Sequence, residues 1–99
     1  MDIVMTVDKS FCTYLLHFTD QTHYVGMTGN LPRRMRQHHG SQGARYVKRK
    51  LTQGYDFVVA QTWDNMTRSE AMKLEYKLKK RGRWHYRYCP ICIEETINE

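Results

Sequence analysis

Acidic residues are missing from a long stretch of this chain. Residues 21–55 contain no Asp or Glu, against five Arg, two Lys and three His. Such one-sided charge excludes a self-neutralising surface there and favours contact with polyanions. Long apolar runs are also missing. None approaches the roughly 20 residues that a bilayer-spanning helix needs, so no membrane role is expected. Residues 1–5, Met-Asp-Ile-Val-Met, lack the basic start and long apolar centre of a secretion signal. Cysteine is sparse and odd in number, at three. Free thiols in a reducing compartment are therefore expected, not a disulfide framework, and the chain reads as cytoplasmic. Internal repeats, low-complexity tracts and interdomain linkers are absent, so residues 1–99 are expected to form one domain.

What is present suits a folded globule. The hydrophobic fraction is 40%, with seven Tyr, two Trp and three Phe, too rich for a disordered tail. The net charge of +6 is unevenly spread. A second basic cluster comprises Lys77, Lys79, Lys80, Arg81 and Arg83, while acids gather at Asp56, Asp64, Glu94, Glu95 and Glu99. A basic stripe of this kind is the electrostatic footprint of a nucleic-acid binder.

Periodicity and punctuation give the elements. Residues 11–18 are apolar on both faces apart from Thr13 and His17, as in a central strand covered on both sides. A polar turn at residues 19–22 leads to a second strand over residues 23–27, and the two are expected to pair as a hairpin. Asn30 is a good N-cap and Pro32 belongs in a first helical turn, which predicts a helix from there to Gly40. Leu31 and Met35 mark its inward stripe, and Arg34 and His38 lie one turn apart on a neighbouring face. Residues 44–51 read as a short basic helix and residues 57–63 as a third strand. Thr67-Arg68-Ser69-Glu70 is a capping box that starts a last helix, with Ala71, Leu74 and Leu78 as its buried stripe. Glu75 falls beside that stripe. The order predicts an α/β fold: a small sandwich with a three-stranded antiparallel sheet flanked by helices. Residues 82–99 have no clean period and are expected to be irregular, with a docked piece around Trp84.

Several of these residues form a pattern. Cys12-Thr13-Tyr14, a turn and Tyr24-Val25-Gly26 resemble the two signature triplets of the GIY-YIG endonuclease superfamily. Arg34 with His38 resembles that family's arginine and its partner four residues on, and Glu75 resembles its metal-binding glutamate. Roughly residues 11–80 are covered, and the likeness is to small single-domain members related to the UvrC and Slx1 nuclease domains. Of the first triplet only the tyrosine is kept. Some relatives carry a lysine just after the second triplet, where this chain has Met27 and Thr28, with Lys48 a candidate to stand in for it in space.

The resemblance implies a DNA endonuclease. Glu75 would hold one Mg²⁺ or Mn²⁺ through a single carboxylate, with waters and substrate phosphate completing the shell. Arg34 would present its planar fork to the scissile phosphate. Either Tyr14 or Tyr24 would accept the proton of the attacking water while the other positions the phosphate. His38 would act on the leaving group or orient the phosphate. Gly43-Ala44-Arg45-Tyr46 resembles a Gly-Ala-Lys/Arg-Tyr stretch of small family members. Arg33, Arg45, Tyr46, Lys48 and Arg49 would then grip the substrate by charge and stacking. A domain this small has little surface for reading a long sequence, so branched or single-stranded DNA is the expected substrate. A non-catalytic binding module remains an alternative, as does a nuclease subunit that needs a protein partner to supply DNA specificity.

Cys89-Pro90-Ile91-Cys92 has the spacing of half a zinc site. A structural zinc takes four ligands, and beyond His85 the sequence offers no obvious partner pair, so Cys89 and Cys92 are expected as two free thiols in the tail.

Overall fold

A computed structural model describes residues 8–80 and 87–97. The elements, in order, are β1 (Phe11–Phe18), β2 (His23–Thr28), α1 (Leu31–His39), α2 (Arg45–Thr52), β3 (Phe57–Met66), α3 (Arg68–Lys80) and α4 (Pro90–Ile97). They form an α/β fold around a three-stranded antiparallel sheet of order β2-β1-β3. β1 is the central strand, as its two-sided apolar pattern predicts, and every residue from Cys12 to Phe18 is buried.

Alternation along β1 sends its side chains to two separate layers. Tyr14, Leu16 and Phe18 point to one face, where Leu31 and Met35 of α1 and Val47 and Leu51 of α2 cover them. Leu15 points to the other and meets Val25 of β2, Leu74 and Leu78 of α3, and Ile91 of α4. Each fully buried Leu or Phe in these layers contributes about 1.5–3 kcal/mol of transfer free energy. Thr13, buried on the second face, donates its hydroxyl to the Ala71 carbonyl at 2.9 Å, so α3 is tied to the sheet by a satisfied polar contact.

Local chemistry sets the boundaries. The Asn30 side chain accepts from the Arg33 amide at 3.1 Å, Pro32 sits in the first turn, and α1 ends at Gly40. The capping box closes reciprocally: Glu70 N–H donates to Thr67 Oγ1 at 3.1 Å, and Thr67 N–H donates to Glu70 Oε1 at 2.9 Å. In the hairpin turn Asp20 accepts from the amide and hydroxyl of Thr22 and from Lys50 Nζ at 2.6 Å. These bonds, Lys50 foremost, hold the Asp20 carboxyl down at about 2.

Two parts of the chain depart from the sequence expectation by more than one residue. β3 continues past Trp63 to Met66, because an irregularity between Phe11 and Thr13 lets Met66 still pair with Phe11 while Asn65 takes a φ of 59°. The C-terminal segment is not wholly irregular. Residues 90–97 form α4, docked through Ile91 and Cys92 on the Leu15 layer. Three of its apolar residues, Ile91, Cys92 and Ile93, are consecutive and give no helical period, and packing supplies what local pattern lacks. The docking expected around Trp84, and the residues Arg81, Arg83 and His85, lie outside the described residues.

Candidate active site

The hairpin register brings the signature tyrosines together. Tyr14 pairs with Gly26 and Leu16 with Tyr24, so Tyr14 and Tyr24 are diagonal neighbours on one face, ring centroids 6.4 Å apart. Gly26 is needed for this arrangement. A Cβ there would collide with the hydroxyl and Cζ of Tyr14, so the glycine makes room for the opposing ring. Its role is close approach across the strand pair.

Tyr14 is completely buried, and its hydroxyl oxygen lies 2.7 Å from Nε2 of His38, which is also closed to solvent. Burial pushes the Tyr14 phenol up to about 12, against a partial pull downward from Arg34. Burial, helped by the positive charges of Arg34 and His39, drives the His38 imidazole down to about 4. Both groups are therefore neutral at pH 7. Gly43 lets the loop before α2 press against this part of α1, since a Cβ there would stand 2.8 Å from His38 Cα.

Tyr24 is only half-buried. Its ring stacks on Tyr46 at 6.0 Å and 19°, and meets His38 edge-on at 5.6 Å. Burial raises its pKa, Glu75 adds to the rise, and the nearby Arg34 opposes it. Arg34 is itself half-buried, with Nη1 donating to Gln37 Oε1 at 3.0 Å. Thr28, Gly29, Asn30, Arg33, Arg34 and Gln37 line a cavity of about 250 Å³ beside it.

Glu75 comes from α3, the helix covering the opposite face, yet its charge acts on both tyrosines. Its carboxylate is 3.8 Å from Lys79 Nζ, and that ammonium lies 5.4 Å from the centre of the Tyr24 ring. The lysine beside the second signature tyrosine is thus Lys79. Lys48 is exposed on α2. In the sequence Lys79 stood out as part of a basic cluster, with no sign of its approach to Tyr24. Gln37, which steadies Arg34, carried no signal at all.

The grip residues divide into two groups. Arg33, Arg45, Lys48 and Arg49 are exposed, with the Arg49 guanidinium 5.4 Å from the Tyr46 ring centre. Tyr46 is half-buried between Tyr24 and Phe18 and builds the wall of the site. Lys50 is committed to Asp20.

Residues 10–87 match the GIY-YIG catalytic domain. The chain belongs to that nuclease family. Among its relatives are UPF0213 proteins of Nitratidesulfovibrio vulgaris (36% identity over 74% of this chain) and Lactiplantibacillus plantarum (33% over 79%). Another UPF0213 protein, from Autographa californica nuclear polyhedrosis virus, is 31% identical over 82% of the chain and 75% of its own length. The matched region spans 63% of the N. vulgaris protein and 75% of the L. plantarum protein. No solved structure matches significantly. Among the described residues no helix is long and apolar enough to cross a membrane.

Proposed function

We propose that this protein is a metal-dependent endonuclease that hydrolyses DNA phosphodiester bonds, with preference for branched or single-stranded substrates. The observation carrying this reading is that half-buried Arg34 and half-buried Glu75 lie close enough to act by charge on both half-exposed Tyr24 and buried Tyr14, the latter closed against His38. Tyr24 is the proton acceptor, because of the two phenols only it has access to water. Tyr14, held by His38, keeps the Tyr24 ring and the strand beneath it in place.

In the cleavage step the water oxygen bonds to phosphorus while one phosphorus–oxygen ester bond breaks. The water proton passes to the Tyr24 phenolate, and the departing alkoxide takes a proton from solvent. Arg34 donates to the non-bridging oxygens and stabilises the charge that builds there. Glu75 fits a hard cation such as Mg²⁺ or Mn²⁺, since its carboxylate stands at the rim with only a loose ion pair to Lys79. When bound, such an ion neutralises phosphoryl charge and lowers the cost of ionising nearby acids. Arg33, Arg45, Lys48 and Arg49 hold the substrate backbone.

The test is cleavage of labelled duplex, branched and single-stranded DNA with Mg²⁺ or Mn²⁺, wild type beside Glu75→Ala. Metal-dependent cutting that disappears in the variant while DNA binding persists is the expected result. Binding without cutting by either protein would replace the enzyme with a binding module. Cutting restored only by an added protein fraction would make the chain a subunit that relies on a partner. A single cut site in kilobases of plain duplex would overturn the structure preference.

A further inference from the structure

The hairpin and the C-terminal helix together assemble a second site on the sheet face opposite Tyr14. His17 and His23 are direct partners in the β1–β2 register, so both imidazoles emerge side by side next to the turn. Cys89 immediately precedes α4, and Cys92 lies within its first turn. His17 is 6% exposed and Cys89 is completely buried. One ligand atom from each of the four lies within 4.8 Å of all the others. The sequence expectation of two tail thiols without a partner pair is corrected here. The missing pair is His17 and His23, which lie six positions apart in the chain and are united by cross-strand pairing. The signal available beforehand was a Cys-x₂-Cys in need of two further ligands and a hairpin carrying a histidine at each end of its turn.

The distances discriminate among uses of such a cluster. Zinc bonds of about 2.0–2.1 Å to nitrogen and 2.3 Å to sulfur, arranged tetrahedrally, separate two nitrogens by about 3.3 Å and a nitrogen from a sulfur by about 3.6 Å. Here His17 Nδ1 and His23 Nε2 are 3.2 Å apart. Cys89 Sγ is 3.4 Å from His17 Nδ1, and Cys92 Sγ is 3.6 Å from His17 Nδ1 and 3.3 Å from His23 Nε2. The cysteines are not disulfide-bonded. Two neutral imidazoles and two thiolates around a divalent ion give a complex of zero net charge, the form that burial penalises least. Two nitrogens and two thiolates in a tetrahedron select zinc over hard cations such as Mg²⁺, which prefer oxygen.

We infer that His17, His23, Cys89 and Cys92 form a structural zinc site that staples the start of α4 to the β1–β2 hairpin. With four protein ligands no coordination position is open for water or substrate, which separates this ion from any catalytic metal at Glu75. The need for a staple is physical. A chain of this size buries a modest core, and α4 adds few apolar contacts of its own.

The measurement is the zinc content of the full-length, untagged protein, purified under reducing conditions without chelator. About one zinc per chain is expected, falling below about a tenth per chain in Cys89→Ser/Cys92→Ser and in His23→Ala, and unchanged in Cys12→Ala. Replacement by Co²⁺ should give the intense visible bands of tetrahedral cobalt and thiolate charge-transfer absorption in the near ultraviolet. If the ligand variants do not fold, wild-type protein stripped by chelator should show a lowered Tm that added Zn²⁺ restores. Folded wild type without zinc would overturn the site, as would zinc retained in the double serine variant. Isolation of a Cys89–Cys92 disulfide in place of metal, or a Tm indifferent to zinc, would also overturn it. None of these readouts depends on DNA cleavage, so the zinc site and the nuclease reading stand or fall separately.

Discussion

Tyr14 and His38 meet at 2.7 Å in a part of the protein closed to solvent, and burial keeps both neutral at physiological pH. The contact joins the central strand to α1 behind the signature tyrosine that faces water. Because His38 sits near 4 when folded and near 6.5 when unfolded, the unfolded chain binds more protons between those values. Its contribution to stability is complete above about pH 6.5 and is lost as pH falls toward about 4. Urea denaturation across this window should lose up to about 3 kcal/mol in the wild type. The slope should flatten in His38→Gln, which titrates no proton there.

Substituting Gly26 tests the close approach across the hairpin. Gly26→Ala puts a methyl group against the hydroxyl and Cζ of Tyr14, both on a rigid, fully buried ring. A destabilisation of about 1–3 kcal/mol is expected from overpacking, measured by chemical denaturation. Cleavage should fall with it, because Tyr14 must leave His38 to admit the methyl group.

The two tyrosines should part company when each loses its hydroxyl. Tyr24→Phe is expected to lower kcat by on the order of 10²–10⁴ with little change in Tm, since the hydroxyl acts on water. Tyr14→Phe leaves a buried imidazole nitrogen without its partner and should cost about 1–3 kcal/mol of stability. Equal losses of kcat and equal Tm in the two variants would remove the distinction.

Burial raises the Tyr24 pKa above its ordinary value, so the phenolate is the minor form at neutral pH. A metal-supported rate that depends on it should climb from neutrality upward, by up to about tenfold per pH unit. A rate profile flat from pH 7 to about 9 would assign the proton to another acceptor.

Exposed Lys48 and Arg49 on α2 offer two positive charges to a DNA backbone. Replacing both with Ala should reduce the slope of log K against log salt by about 2 while leaving Tm unchanged. Replacing Lys50 should instead lower Tm, because its ammonium is bound to Asp20 at 2.6 Å.

The chain's local chemistry determined a good deal. The two-sided apolar run of β1, the Asn30 and Pro32 start of α1 and the Thr67–Glu70 capping box each act within a few residues, and each fixed an element where it was expected. Tyr14, Tyr24, Arg34, His38 and Glu75 were legible as a candidate set only through their resemblance to the family's motif. Depth was not legible. Whether Tyr14 or Tyr24 reaches water depends on the hairpin register and on which helix covers that face. The approach of Lys79 to Tyr24, the continuation of β3 to Met66 and the docking of α4 likewise arise from elements far apart in sequence. The clearest case is the His17, His23, Cys89 and Cys92 cluster. Its cysteines were visible as half a site, but only folding carries them across more than half the chain to the histidines that complete it.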